Sequence, residues 1–360
     1  MFRGERPMFY RHYVCSNAIG PYLVGVDAGG TRTRAAIVTL DGVVAGYGTG
    51  PGANPNSGGG TSGELTQALT TALTAALEEL DPARVVHGVF GIAGAGAANR
   101  PRAVASANAA WAAAGVPGEP EVVTDIAVAF AAGSAERTGI VILAGTGAGA
   151  AVIDAGEIER RSDANGYLIG DEGSAVWIGR EGVRAAMRAY DGRGRATVLA
   201  ETVPRALLGE EAEPLLTGLD RAIVAPSGEP TAGRTWSGSD LPQAIIRKVY
   251  AERPASIGKV APCVSAAAEK GDPVAVEIVA EAVRHLLEDA DAVRPALDDL
   301  LAAREGTAGF GLVVSGSLLE SGPVADGVRA GLVSRFGVEP TPAGDGAVGA
   351  ARLAAHRAGG

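Results

Sequence analysis

The sequence predicts an α/β protein built from two similar lobes around a shared cleft, and three observations carry that prediction. Residues 23–37 (LVGVDAGGTRTRAAI) and 141–153 (VILAGTGAGAAVI) each read as an apolar strand, a Gly/Thr-rich turn and a second apolar strand. The strand and helix signals after the first of these begin again after the second, as a duplication does. At 360 residues, the chain also exceeds the size at which one hydrophobic core stops growing.

The elements follow in order. After the first hairpin, a third apolar run at 42–47 ends in the Gly/Pro/Asn loop GTGPGANPNSGGG. Residues 64–80 form an amphipathic helix, with Leu65, Leu69, Leu73 and Leu77 at a spacing of four. A buried strand at 85–92, a helix at 102–114, a short strand at 121–123 and a helix from Ile126 to Ala132 complete the first half. Residues 133–139 are the candidate hinge. The second half opens with strand, glycine turn and strand, then adds helices near 174–190, 197–207, 241–251 and 272–297. Gly and Pro interrupt 193–238, which reads as surface insertions. A strand at 311–314 runs into SGSLL, and a last helix at 346–358 packs back on the first lobe. The expected division is an extension at 1–20, a first lobe at 21–135 with 346–358, and a second lobe at 136–345.

Composition narrows the function. Hydrophobic residues make up 47% of the chain, in keeping with a globular protein. A formal net charge of -10 disfavours a general nucleic-acid or anionic-membrane binder, since both need a basic face. The two cysteines, Cys15 and Cys263, are far apart and lack a CxxC partner, which fits a reducing cytoplasm. No apolar run reaches the ~20 residues that span a bilayer. Residues 1–20 lack the apolar centre of a secretory signal.

A glycine tip lets backbone N–H groups approach an anion closely, so two such tips facing one cleft suggest a bound polyphosphate. Tight hairpins without a ligand are the alternative. A dinucleotide-binding turn fits poorly, because GTGAG continues into a strand, AAVID, where that motif needs a helix. No GxxxxGK[ST] occurs, which removes the P-loop class.

Three acidic features could carry chemistry. Asp27 ends VGVD just before the first tip, where a carboxylate beside phosphate makes sense if a cation such as Mg²⁺ lies between them. It could instead satisfy the amides of its own turn. Asp125 ends EVVTD at the C-terminal end of a strand, where open sheets place ligands; it is either a general base or the N-cap of the next helix. The third is NGYLIGDEGS, in which Asp171 and Glu172 lie between Gly170 and Gly173. Adjacent carboxylates suit the hydroxyl donors of a sugar, or else the first turn of the helix that follows. Asn54, in GPGANPNS, could bind a hydroxyl or simply shape an Asn-Pro turn.

With these pieces, residues 22–355 resemble the N-acetylglucosamine kinase-like branch of the sugar kinase/actin/Hsp70 superfamily, also called the BadF/BadG-type ATPase family. The resemblance rests on VGVDAGGTRT, the loop Asn54, Thr124-Asp125, LAGTGAG, GDEGSA, VSGSL and the closing GDGAVGAA. It implies the two-lobed, actin-like (ribonuclease H-like, duplicated) ATPase fold, with ATP and Mg²⁺ as cofactors and often a homodimer. By matching motif, the nucleotide falls to Gly29, Gly30 and Thr31, to Gly145, Thr146 and Gly147, and to Gly316 and Ser317. Asp125 becomes the base for the acceptor hydroxyl, while Asn54 and Asp171, with the adjoining Glu172, face the sugar.

One departure bears on the acceptor. Where the family's N-acetylglucosamine kinases carry Gly-Trp-Gly before GDEG, this chain has Ala164-Asn165-Gly166, close to Asp163. A polar Asn165 in place of a large aromatic suits a hydroxyl or ammonium at C2 better than an acetamide. The expected acceptor is therefore glucosamine, phosphorylated at its 6-hydroxyl, with N-acetylglucosamine second and a non-catalytic sugar sensor as the different-class alternative. ROK-type sugar kinases are disfavoured by the missing zinc cysteines and ExGH histidine, and dehydratase activators by the missing cluster cysteines.

Overall fold

A computed structural model describes residues 20–30, 32–52, 62–96, 99–217, 219–231, 240–304 and 309–359. Thr31, Asn54 and nearly all of the 1–20 extension lie outside the described residues. The first half runs β1 (Tyr22–Ala28), β2 (Arg32–Thr39), β3 (Val44–Pro51), α1 (Ser62–Leu77), β4 (Val85–Ile92), α2 (Arg100–Ala113), β5 (Glu121–Thr124) and α3 (Asp125–Gly133). The second opens with β6 (Thr138–Ala144), β7 (Ala148–Asp154) and β8 (Glu157–Asp163). Seven helices follow: α4 (Ala175–Tyr190), α5 (Leu199–Leu208), α6 (Ala212–Leu216), α7 (Arg221–Val224), α8 (Asp240–Ala251), α9 (Ala261–Glu269) and α10 (Pro273–Ala302). The chain closes with β9 (Gly311–Ser315), α11 (Pro323–Phe336), β10 (Thr341–Pro342) and α12 (Gly346–Ala358).

The duplication is visible in the sheets. One has the order β3-β2-β1-β4-β5 and the other β10-β9-β6-β7-β8. In each, three antiparallel strands join two parallel ones through the first strand of the set, β1 or β6. Both central strands are buried almost throughout, as strands covered on both faces are. The third strand of the second set, β8, gave no strand signal in the sequence. Its residues EIERRSD are charged because it is a sheet edge, where exposed charge blocks further pairing.

Helix α1 packs on β3 at backbone distance. The glycines of β3 alternate with larger residues, so Gly46, Gly48 and Gly50 share one face of the strand. A Cβ at Gly48 would fall 2.1 Å from the carbonyl oxygen of Ala72, and Gly46 and Gly50 meet Ala76 and Ala68 in the same way. The leucine row Leu65, Leu69, Leu73 and Leu77 is buried in the same core.

Helix α3 has a different position. Its sequence, DIAVAFAAG, is apolar on all sides, as a helix buried all round requires. Ala127, Val128 and Ala131 pack with α12 against the first sheet, while Ile126 and Phe130 pack on Val141, Ile153 and Val313 of the second. The helix lies between the two sheets, and Asp125 is its first residue.

Residues 193–238 were expected as surface insertions, and here the structure corrects the sequence. Within the described part, Leu199, Ala200, Val203, Leu207 and Ile223 are fully or almost fully buried against α4, α9 and α10. The Gly and Pro residues mark joints between short core helices.

Candidate active site

Parallel pairing gathers the candidate residues into two groups, one in each sheet. Ala28 of β1 pairs with Ile92 of β4, and Ile92 pairs with Thr124 of β5, so the first tip and Asp125 share one sheet edge. In the second sheet Leu143 pairs with Ser315, which sets the Gly145–Gly147 turn beside Gly316 and Ser317. A Cβ on Gly145 would lie 3.8 Å from the Gly316 Cα. Gly316 has φ +108°, and a Cβ there would meet the Ala144 carbonyl oxygen at 2.3 Å, so this turn requires glycine. Not every tip amide points outward. The Gly29 N–H donates to the Arg32 carbonyl at 3.0 Å and the Gly145 N–H to the Gly147 carbonyl at 2.9 Å. These two glycines shape their turns, which shifts any phosphate contact to the amides that follow.

Thr124 bears on one of the two readings of Asp125, that of helix cap. The Thr124 hydroxyl accepts from the Ala127 N–H at 3.3 Å and caps α3. Asp125 is thereby released from the capping role. Burial raises its carboxyl above the ordinary carboxylate range, against two backbone hydrogen bonds that lower it.

Asp27 stands nearby in an acidic setting. Burial and then the charge of Asp125 raise it to about 6, Arg34 opposes the rise, and Asp345 adds to it. The Arg34 Nη1 lies 3.4 Å from the Asp27 Oδ2. Helix α12 starts directly against this carboxylate, since a Cβ on Gly346 would sit 2.5 Å from the same oxygen. Asp345 caps α12 by accepting from the Ala347 and Val348 N–H groups, and it also accepts from the Tyr47 hydroxyl at 2.7 Å. Among the described residues, no group of three or more His, Cys, Asp or Glu side chains could cage a metal. Asp27, with the charges of Asp125 and Asp345 close enough to raise it, sits in a surplus of negative charge that a divalent cation would offset, and it could hold Mg²⁺ directly or through the ion's waters.

The loop between β8 and α4, where the sequence placed Asp171 and Glu172, is stitched to the second tip. Asp171, only 8% exposed, accepts from the Ala148 N–H at 3.3 Å. The Ala164 N–H donates to the Ala148 carbonyl at 2.9 Å, and the Ala175 N–H to the Gly145 carbonyl at 2.8 Å. Burial raises the Asp171 carboxyl, and the charge of Asp163 adds to the effect. The Ser174 hydroxyl caps α4, so neither Asp171 nor Glu172 is needed for that. Glu172 is exposed, with Oε2 3.3 Å from the His285 Nδ1 on α10; the His285 ring meets Trp177 edge-on at 5.3 Å. Asn165 is also exposed, and its Oδ1 accepts from the Arg161 Nη2 at 3.3 Å.

Sequence reasoning missed His285 and Asp289 and named Asp163 only as a neighbour. Asp289 accepts from the Ser162 hydroxyl at 2.6 Å, and burial raises it to about 6. Both missed residues lie on α10, more than a hundred positions from the loop they contact, and no local motif marks them.

Residues 24–354 match the profile of the BadF/BadG/BcrA/BcrD ATPase family. The chain belongs to this family. Over 85 residues it is 38% identical to the N-acetylmuramic acid/N-acetylglucosamine kinase of Clostridium acetobutylicum, a stretch covering 24% of this chain and only 28% of that protein. A crystal structure from Chromobacterium violaceum, provisionally named an N-acetylglucosamine kinase, is 25% identical with a TM-score of 0.62. That comparison covers 92% of this chain and 98% of the other. A second provisional N-acetylglucosamine kinase, from Porphyromonas gingivalis, shares the fold at 18% identity and TM-score 0.58, over 94% and 99% of the two chains. The family and the two-lobed α/β fold implied by the sequence motifs are both upheld.

Proposed function

We propose that this family member is a sugar kinase that transfers the γ-phosphoryl group of Mg-ATP to the 6-hydroxyl of glucosamine. The observation that carries the reading is Asp125, a half-buried carboxylate that leaves the capping of its helix to Thr124 and stands at the start of the helix packed between the two sheets. A base with a raised pKa is suited to accept a hydroxyl proton near neutral pH. The acceptor oxygen would bond to the γ-phosphorus while the bond to the β–γ bridging oxygen breaks and the proton passes to Asp125. Asp171 would orient the sugar. Gly30, Thr31, Thr146 and Gly147 would face the phosphates, with Gly29 and Gly145 shaping those turns and Gly316 and Ser317 near the adenosine. Mg²⁺ held through Asp27 would offset charge on the transferred group. Asn54 would complete the sugar site.

The names of the Clostridium and Chromobacterium relatives support a sugar kinase acting on a hexosamine. Asp163, Asp171 and Glu172 favour an ammonium over an acetamide at C2. The lobes divide at 135/136 with 346–358 joined to the first. The enzyme acts in the cytoplasm, on the support of its two distant cysteines, and as a homodimer, on the support of the resemblance; sedimentation checks the dimer.

A coupled ADP-release assay over hexoses and hexosamines tests the reading. Glucosamine is expected to give the highest kcat/KM. Preference for N-acetylglucosamine would overturn the acceptor assignment, and nucleotide binding without transfer to any sugar would favour a sensor.

A further inference from the structure

We propose that Asp163 is a positioning residue for the acceptor, setting the backbone from which Asp171 reaches the sugar; this rests on the sugar-kinase reading. Asp163 is the last residue of β8, and its carboxylate turns back across the loop. Its Oδ1 accepts from the N–H groups of Asn165 at 3.2 Å and Asp171 at 2.9 Å, and its Oδ2 accepts from the Glu172 N–H at 2.9 Å. One side chain thus holds both ends of the 165–172 loop.

The backbone it holds is one that ordinary residues avoid. Asp163, Ala164 and Asp171 have φ of 55°, 55° and 56°, in the left-handed region, although none is glycine. Such conformations persist where the surroundings over-determine them, and they gather at ligand sites. At Asp171 this conformation accompanies a carboxylate directed at the Gly147–Ala148 turn: a Cβ on Gly147 would lie 3.2 Å from both of its oxygens. The acceptor aspartate and the second phosphate turn are therefore in contact, and Asp163 fixes one side of that contact.

Gly170 supplies an independent reason to read the loop this way. A Cβ at Gly170 would fall 2.1 Å from the Asp163 Oδ1, so any side chain there expels the carboxylate from its place. Gly170 itself does not have the positive φ that demands glycine. Its lack of a side chain serves the approach of Asp163. The strand end is anchored separately, by the Ser162 hydroxyl on Asp289.

The test uses Asp163→Ala, Asp163→Asn and Gly170→Ala in the full chain. Asp163→Ala and Gly170→Ala are each expected to raise the acceptor KM by about tenfold or more, with kcat and the ATP KM within about threefold of wild type. Asp163→Asn keeps an acceptor for the Asn165 and Asp171 N–H groups and should fall between. The double variant Asp163→Ala/Gly170→Ala should be no worse than Asp163→Ala, because the clash disappears with the carboxylate. Hydrogen exchange at the amides of Asp171 and Glu172 should quicken in both single variants. An acceptor KM within about twofold of wild type would overturn the proposal, as would a parallel rise in the ATP KM or strictly additive variants. If the wild type phosphorylates no sugar, the functional reading fails instead, and unchanged amide exchange would show that the clamp fails as well.

Discussion

Replacing Asp125 with asparagine is expected to lower kcat by about 10²–10⁴ while leaving ATP affinity close to wild type. Asparagine keeps the shape of the side chain and cannot take the hydroxyl proton. Helix α3 should survive the change, because its cap is the Thr124 hydroxyl and its packing comes from Ile126, Ala127, Val128 and Phe130. The wild-type rate should fall on the acid side, since a base works only when deprotonated. Burial raises this carboxyl, so the fall should occur above the pH of an exposed aspartate. The variant should lose the part of that limb due to Asp125, while any part due to protonation of Asp27 remains. Steady-state kinetics with nucleotide titration checks each part, and retained turnover would remove Asp125 from the role of base.

The second large effect is expected at Asp27, where function and stability should move in opposite directions. Its carboxyl is raised to about 6 in the folded protein from an ordinary 3.8, chiefly by burial and the charge of Asp125. The native state therefore holds this proton more tightly than the unfolded chain does. The stabilising contribution is fully present below about pH 4 and is lost as pH rises through about 6. At pH 8 the buried charge, with the Arg34 pairing already included, opposes folding by at most on the order of 3 kcal/mol, and solvent at its partly exposed side chain lowers that figure. Asp27→Asn should accordingly raise the stability of the metal-free protein at pH 8 by about 1–2 kcal/mol, and little or not at all at pH 4. The same change should lower turnover by about 10² or more and raise the Mg²⁺ concentration needed for half-maximal rate. Urea unfolding at the two pH values and a magnesium titration read these effects. Equal stability at pH 8 would show that Asp27 is not a strained charge.

The fold was legible where the pattern is local. The two hairpins, the leucine row of α1 and the run EVVTD each announce themselves within a few residues, and the repeat in their order gave the two lobes. Strand β8 was hidden because an edge strand carries charge instead of alternation. The segment after 193 misled because Gly and Pro at joints of short buried helices resemble those of a surface loop. In the candidate site, Asp125 was ambiguous until Thr124 proved to be the cap, a distinction that depends on which oxygen meets the Ala127 amide. Asp289 and His285 could not be found from the sequence, since α10 reaches Ser162 and Glu172 only in the folded chain. The internal hydrogen bonds of the Gly29 and Gly145 amides depend on how each turn closes, which its glycines alone do not specify.

Helix α12 has a consequence for the order in which the molecule can be made. It lies beneath β1 and covers Leu23, Ala36 and Val38 with Ala347, Ala350 and Ala351. The Tyr47–Asp345 hydrogen bond joins residues 298 positions apart. During synthesis, α3 can cover part of this face early, but the part over β1 and β2 stays bare until α12 has also been made. Contacts of such separation form late and leave apolar surface open to aggregation. We expect stalled chains ending before residue 346 to expose β1 and β2 to protease even where the later helices resist. Full protease resistance of β1 and β2 in such a chain would show that the first lobe matures without its last helix. The surroundings of Asp27, against which α12 starts, cannot be complete before that helix is in place.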